Sequence, residues 1–269
     1  MPKRLSVSGI DYLTHTWNFI TGCKHWQDGT CQVASDCWAL QTTLKYPNYY
    51  PNGFNPTFYP EALNSPYSLR EPARIGVVFM GDLFGDWVYP EKVINKDSGA
   101  TLKQSVYRVI NRCPQHTFIF LTKGYSNLEK WSPFPSNCWV GVSAPSPDFA
   151  ALECLSRIEC GLRFLSVEPI FEEWPAVAFD AYNIGWIIVG SCTGGYENMA
   201  KLQRRHLEMY LKQVEGKWSV QPPSHWVINL KLQAKEQNIP FFMKSNLDVR
   251  TESVKEYPQP PVSTGRLFL

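Results

Sequence analysis

The sequence predicts a full or partial parallel β/α barrel folded as a single domain, and three observations predict it. Short apolar runs recur along the chain, each ending in a polar or glycine-rich turn. The segments between them carry apolar residues at helical spacing. The runs are continuous rather than alternating, which suits strands covered on both faces, as in a parallel sheet. With 269 residues and 44% hydrophobic content the chain has material for one sizeable core.

The first strand is expected near Thr16 to Thr21. Ile75 to Met80 is the second and ends at Gly81-Asp82; Thr117 to Leu121 ends at Thr122-Lys123. Trp139 to Val142 ends at Ser143, Leu162 to Val167 at Glu168-Pro169, Trp186 to Val189 at Gly190-Ser191, and Ile239 to Met243 at Lys244. Leu102, Val106, Val109 and Ile110 form one apolar helical stripe; Phe149, Leu152, Leu155 and Ile158 form another, and Val227, Leu230 and Ala234 a third. Strands alternating with helices predict βαβ units. Residues 45–72, rich in Tyr, Pro and Asn, read as a long ordered loop insertion over the barrel. Residues 191–224 read as a second excursion with a short helix around Gln203 to Gln213. The single domain spans 1–269, its core about 14–245, with an extended tail after it.

Net charge is +2, so composition gives no argument for a nucleic-acid or membrane partner. No run approaches the roughly 20 apolar residues that span a bilayer, and the N-terminus lacks the apolar stretch of a signal peptide. The eight cysteines are therefore expected in a reducing, cytoplasmic setting, as free thiols or metal ligands.

In barrels of this class the active site lies at the carboxyl ends of the strands. Here those ends supply Cys23, Asp82, Lys123, Ser143, Glu168, Ser191 and Lys244. Cys23, Cys31 and Cys37 form a C-x7-C-x5-C arrangement within 15 residues. Three thiolates on a [4Fe–4S] cluster leave one iron open; with His25, the same cysteines make a Cys3His zinc set, hydrolytic or structural. Spacing alone leaves both open.

Further motifs follow in order: Thr16-Trp17-Asn18 with Thr21-Gly22-Cys23, Gly81-Asp82-Leu83-Phe84, His116-Thr117-Phe118 with Leu121-Thr122-Lys123, Trp139 to Ser143, Arg163-Phe164 with Ser166 to Pro169, Trp186 to Gly190, and Pro240-Phe241-Phe242 with Lys244. Over roughly residues 14–245 they resemble a phage-associated group of unknown function placed among radical S-adenosylmethionine (SAM) proteins. The resemblance implies a partial barrel of the radical SAM type, with a [4Fe–4S] cluster on Cys23, Cys31 and Cys37 and SAM at its open iron. It implies reductive cleavage of SAM to start radical chemistry on an unidentified substrate, with electrons from a flavodoxin or ferredoxin. Gly81 and Asp82 would then meet the SAM ammonium, Lys123 its carboxylate, Ser143 its ribose, and Glu168 its ribose hydroxyls or amine, while Lys244 would take a substrate anion or the cofactor carboxylate. Cys192 would donate a hydrogen atom to a product radical. The chain departs from the usual C-x3-C-x2-C spacing, and Cys192-Thr193 stand where the group tends to have an acidic residue and a serine.

Each of these residues also has a plain structural reading: a helix cap for Asp82, an ion pair with Arg163 or Lys244 for Glu168, packing for Cys192. The Tyr46, Tyr49, Tyr50, Phe54, Phe58 and Tyr59 series suits stacking on a nucleotide or nucleic-acid base, or the packing of the loop on itself.

Overall fold

The computed structural model describes residues 5–29 and 31–259. Along the chain come β1 (Leu5–Val7), β2 (His15–Trp17), β3 (Ile20–Thr21), α1 (His25–Asp28), α2 (Trp38–Lys45), β4 (Thr57–Phe58) and β5 (Arg74–Val77). A hairpin of β6 (Val93–Asn95) and β7 (Ala100–Thr101) leads into α3 (Leu102–Asn111). Then follow β8 (Thr117–Thr122), α4 (Leu128–Trp131), β9 (Cys138–Ser143), α5 (Phe149–Ser156), β10 (Leu162–Val167) and β11 (Ile184–Val189). The chain ends with β12 (Cys192–Gly194), α6 (Tyr196–Arg205), β13 (Tyr210–Val214), β14 (Lys217–Gln221), α7 (Ser224–Glu236) and β15 (Phe241–Met243).

The centre is one eight-stranded sheet in the order β1-β2-β5-β8-β9-β10-β11-β15. Every pair from β2 to β15 is parallel, and only β1 runs antiparallel at the edge. Among the described residues no ladder joins β15 to β1, so the sheet is open, where a full barrel was one of the two expected forms. Helix α3 starts with a capping box: Thr101 accepts from the Gln104 N–H and Gln104 reaches back to the Thr101 N–H.

Alternation along the strands separates two faces. Phe118, Phe120, Val140, Val142, Leu165, Val167, Ile187 and Val189 pack into the main core with Val106, Val109, Leu152, Leu155, Val227 and Leu230 from α3, α5 and α7. Ile119, Trp139, Phe164, Trp186, Ile188 and Phe242 point the other way and form a second cluster with Tyr12 and Leu13. The Trp186 ring lies 5.6 Å from Trp139, two strands away, and 5.7 Å from Tyr12, so the sheet is concave on this side. Gly141 makes the packing possible, because a Cβ there would stand 2.5 Å from the Phe164 ring.

Side chains tie the two ends of the open sheet. The segment after β15 folds back along it through Met243 N–H to Val254 O and Glu256 N–H to Phe241 O. Tyr257 then donates to Asp11 O and lies under the Arg74 guanidinium at 4.3 Å, while Asp11 accepts from Ser245 N–H.

The helix expected around Gln203 to Gln213 is a correction. Helix α6 ends at Arg205, and Tyr210–Val214 is a strand in a small antiparallel sheet of order β12-β14-β13. Glu215 and Gly216, at φ 47° and 78°, make the two-residue turn of a hairpin whose last pair is Val214 with Lys217. The strand expected over 16–21 divides into β2 and β3, and the one expected over 75–80 stops at Val77, before Val78 at φ 60°. The insertion at 45–72 holds turns, β4 and two short 3₁₀ helices, Pro60–Ala62 and Ser65–Ser68. The last ten residues of the expected tail, 260–269, lie outside the described residues. Among the described residues no helix is long and apolar enough to cross a membrane.

Candidate functional site

Register brings the strand ends to one rim. Thr122 pairs with Val142, Ser143 with Ser166, and Val167 with Val189, which pairs in turn with Met243. The next residues along these strands are therefore neighbours. The inner-face series 119-121-123, 139-141-143, 164-166-168, 186-188-190 and 242-244 also keeps them on the concave side. The lower part of that face is the aromatic cluster, and the upper part carries Lys123, Ser143, Ser166, Glu168, Gly190 and Lys244.

Two hydrogen-bonded groups line this rim. Lys123 Nζ donates to Ser143 Oγ at 2.8 Å, and Ser143 Oγ donates to the Glu168 carbonyl at 3.2 Å. The Glu168 carboxylate pairs with Lys244 Nζ at 2.7 Å and accepts from Ser166 Oγ at 2.9 Å and Tyr12 OH at 3.4 Å. Glu168 and Lys244 meet across Gly190, where a Cβ would stand 3.0 Å from Lys244 Cδ and 3.2 Å from Glu168 Cγ. Burial alone would pull the Lys244 ammonium down, but the Glu168 charge and hydrogen bond, with Asp11, hold it above the ordinary lysine value. Burial pushes the Tyr12 phenol far up, and Glu168 adds to it. Of the two structural partners considered for Glu168, the structure selects Lys244; Arg163 instead donates to the Leu155 and Ile158 carbonyls.

Asp82 is the second hub. It is buried, with Thr122 Oγ1 at 2.9 and 2.8 Å from its two oxygens. It also accepts from Phe84 N–H at 2.9 Å, Lys123 N–H at 3.3 Å and His25 Nε2 at 3.2 Å. His25 fits because its neighbour is Gly124, where a Cβ would stand 2.5 Å from His25 Cε1. The His25–Asp82 link is the main feature that the sequence did not reveal. Nothing in the spacing of residues 57 apart signals it.

The cysteine loop rises beside this hub. Gly22, at φ 91°, turns the chain after β3 and packs on Gly81, whose added Cβ would stand 2.5 Å from Gly22 O. Gly81 thus serves backbone contact next to Cys23. The Cys23 N–H donates to Phe54 O and its Sγ accepts from His25 N–H at 3.4 Å. Cys37 stands at the start of α2 and makes no capping hydrogen bond with its side chain. Cys23 and Cys37 both pack against the small cluster of Ala39, Phe54 and Met80.

The three thiols are free and half-buried, and each lies within electrostatic reach of the others. Burial pushes the Cys23 thiol well up, and Asp82, Cys31 and Cys37 push it the same way. Burial also raises Cys31, against the pull of Lys123. Among the described residues no group of three His, Cys, Asp or Glu is preassembled to hold a metal ion. The thiols are gathered neighbours rather than a finished ligand shell.

Cys192 opens β12 and is buried, which pushes its thiol up to about 12, with Asp36 raising it and Lys123 lowering it. Its neighbour Ser191 belongs to a buried network with Ser219, Gln221 and Asn246 that fastens the 191–224 excursion to the loop after β15. In the aromatic series, Phe54 is buried in the cysteine-side cluster, whereas Tyr46 and Tyr49 are exposed.

A family model described as a protein of unknown function, DUF5131, matches residues 7–208, which include every residue of this rim except Lys244. No curated protein and no solved structure matches the chain. With three quarters of its length matched by that one model, the chain belongs to the DUF5131 family.

Proposed function

We propose that this protein is a radical SAM enzyme whose concave parallel sheet is a partial β/α barrel, with Cys23, Cys31 and Cys37 holding a [4Fe–4S] cluster at its mouth. The observation that carries the reading is the gathering of three free, partly buried thiols beside Lys123 and Asp82, at the carboxyl edge of a parallel sheet. The donor set suits the group: soft thiolates favour iron–sulfur or zinc, and a positive centre offsets the burial that raises the Cys23 and Cys31 thiols. When bound, the cluster supplies the electron that cleaves the SAM sulfonium bond.

The residues of the chain then divide the work of binding. The Asp82 oxygens are occupied by Thr122, His25 and two backbone N–H groups, so Asp82 positions the cysteine loop through His25 rather than touching SAM. Glu168 likewise serves by orienting Lys244. The groups with donors to spare are the two ammoniums: each has three N–H bonds and spends one here on Ser143 or Glu168. Lys123 and Lys244 are therefore the residues to take the SAM carboxylate and a substrate anion. His25 binds Asp82 through Nε2 and its ring lies 4.9 Å from the Trp87 ring, so it ties the cysteine loop to Asp82. The exposed Tyr46 and Tyr49 suit a substrate with a base to stack, such as a nucleotide.

The test is turnover. Protein reconstituted without oxygen and reduced with dithionite should release 5′-deoxyadenosine from SAM, faster with the right member of a substrate pool, and Cys23→Ala should abolish the release. Release at the same rate in Cys23→Ala, Cys31→Ala and Cys37→Ala would reject the assignment.

A further inference from the structure

A cavity of about 410 Å³ opens beside the start of the cysteine loop, within the ~300–1,000 Å³ that small-molecule sites span. It is lined by Lys24 and Gln27, at the start of α1, and by Asp86, Trp87 and Tyr89 from the segment after β5. It shares no lining residue with the rim of Lys123, Ser143, Glu168 and Lys244. The Trp87 ring folds back over Gly85, where a Cβ would stand 2.2 Å from Trp87 Cζ2, and its centre lies 4.9 Å from that of the His25 ring. Trp87 Nε1 is buried without a hydrogen-bond partner. Tyr89, two residues on, is 65% exposed, so an aromatic ring is presented at the surface of the cavity. Asp86 is held by the buried Asn127, whose Nδ2 donates to Asp86 Oδ1 at 2.7 Å and to the Phe84 carbonyl at 3.0 Å.

We infer that this cavity binds a nucleoside monophosphate, an inference that does not rest on the cluster reading. Two aromatic residues offer faces on which any base stacks. The Gln27 amide both donates and accepts, as the edge of a base does. The Asp86 carboxylate, with Oδ1 fixed by Asn127, turns its second oxygen to the task of accepting from ribose hydroxyls. Lys24 brings a compact positive charge for the phosphate. The side chains of Lys24 and Gln27 are exposed and make no hydrogen bond or ion pair among the described residues, so both are available. One ammonium and one carboxylate leave the lining with no net charge, which suits a single phosphate better than three. An apolar ligand would cover both charges without pairing them.

The experiment is calorimetric titration of the reduced, metal-free full chain with AMP and with adenosine. Expected are one AMP bound per chain and about tenfold weaker binding of adenosine, which lacks the phosphate. Lys24→Ala should weaken AMP about tenfold and leave adenosine unchanged, so that the two bind alike. Tyr89→Ala and Asp86→Asn should weaken both ligands. All three side chains are exposed, and circular dichroism checks that each variant keeps the fold. Absence of AMP binding to the wild type, or AMP affinity unchanged in both Lys24→Ala and Tyr89→Ala, overturns the inference. AMP binding lost in Lys244→Ala and kept in Lys24→Ala would put the nucleotide at the rim and overturn it as well. Because no metal is present, either result leaves the three-cysteine assignment to its own test.

Discussion

Asp82 accepts hydrogen bonds from a threonine hydroxyl, a histidine ring and two backbone amides, all in a pocket closed to water. Replacing it with Asn turns one acceptor oxygen into a donor facing other donors. Because a buried polar group left unsatisfied costs about 1–3 kcal/mol, Asp82→Asn should lower the unfolding free energy of the metal-free protein by about 2–3 kcal/mol. Urea titration measures it, and a variant as stable as wild type would show that these bonds do not hold the loop. The sequence marks Asp82 and Glu168 as strand-end carboxylates, which is correct. It cannot show whether such oxygens face a ligand or protein donors, because Thr122, His25, Lys244 and Tyr12 reach them only through the fold.

The strands and most helices were legible because burial on both faces leaves a continuous apolar run and a helix on one face leaves a stripe. The same alternation explains why Lys123, Ser143, Glu168 and Lys244 share a rim: each continues an inner-face series of its strand. The error lay around Gln203 to Gln213, read as a short helix where α6 ends at Arg205 and Tyr210–Val214 is a strand. The signal that could have corrected it is Glu215-Gly216, a two-residue hairpin turn requiring positive φ at both positions. Gly190 was read only as the end of a strand, yet its missing side chain lets Glu168 and Lys244 pair across β11. Gly190→Ala should therefore cost about 1–3 kcal/mol, as overpacking does, and Gly190→Val more. Chemical unfolding of the two variants checks the order; a stabilised Gly190→Ala would contradict the contact.

The molecule as a whole keeps several groups protonated more firmly than its unfolded chain does. Burial holds the Cys160 thiol up at about 11 and Cys192 at about 12, raises Cys23 and Tyr12 further, and Glu168 keeps the Lys244 ammonium charged. In the unfolded chain thiols release their protons near pH 8.5. Between there and about pH 12 the unfolded state binds fewer protons than the native one, so stability falls as pH rises. The urea midpoint of reduced, metal-free protein should drop between pH 7.5 and pH 10; a constant or rising midpoint would contradict the burial of these groups. The open sheet, too, was only half legible. Seven strands with polar carboxyl ends could be read from the chain, whereas the bond from Ser245 to Asp11 and the Tyr257–Arg74 stack join residues far apart in sequence, where no local pattern operates.

The central claim is that Cys23, Cys31 and Cys37 hold an iron–sulfur cluster, and metal analysis of anaerobically purified and reconstituted protein tests it most directly. The predicted result is about four irons per chain with a broad visible absorption that bleaches on dithionite. Iron should be lost in the Ala variant of each of the three cysteines and kept in Cys113→Ala and Cys154→Ala. Stoichiometric zinc without iron under the same conditions would contradict the claim.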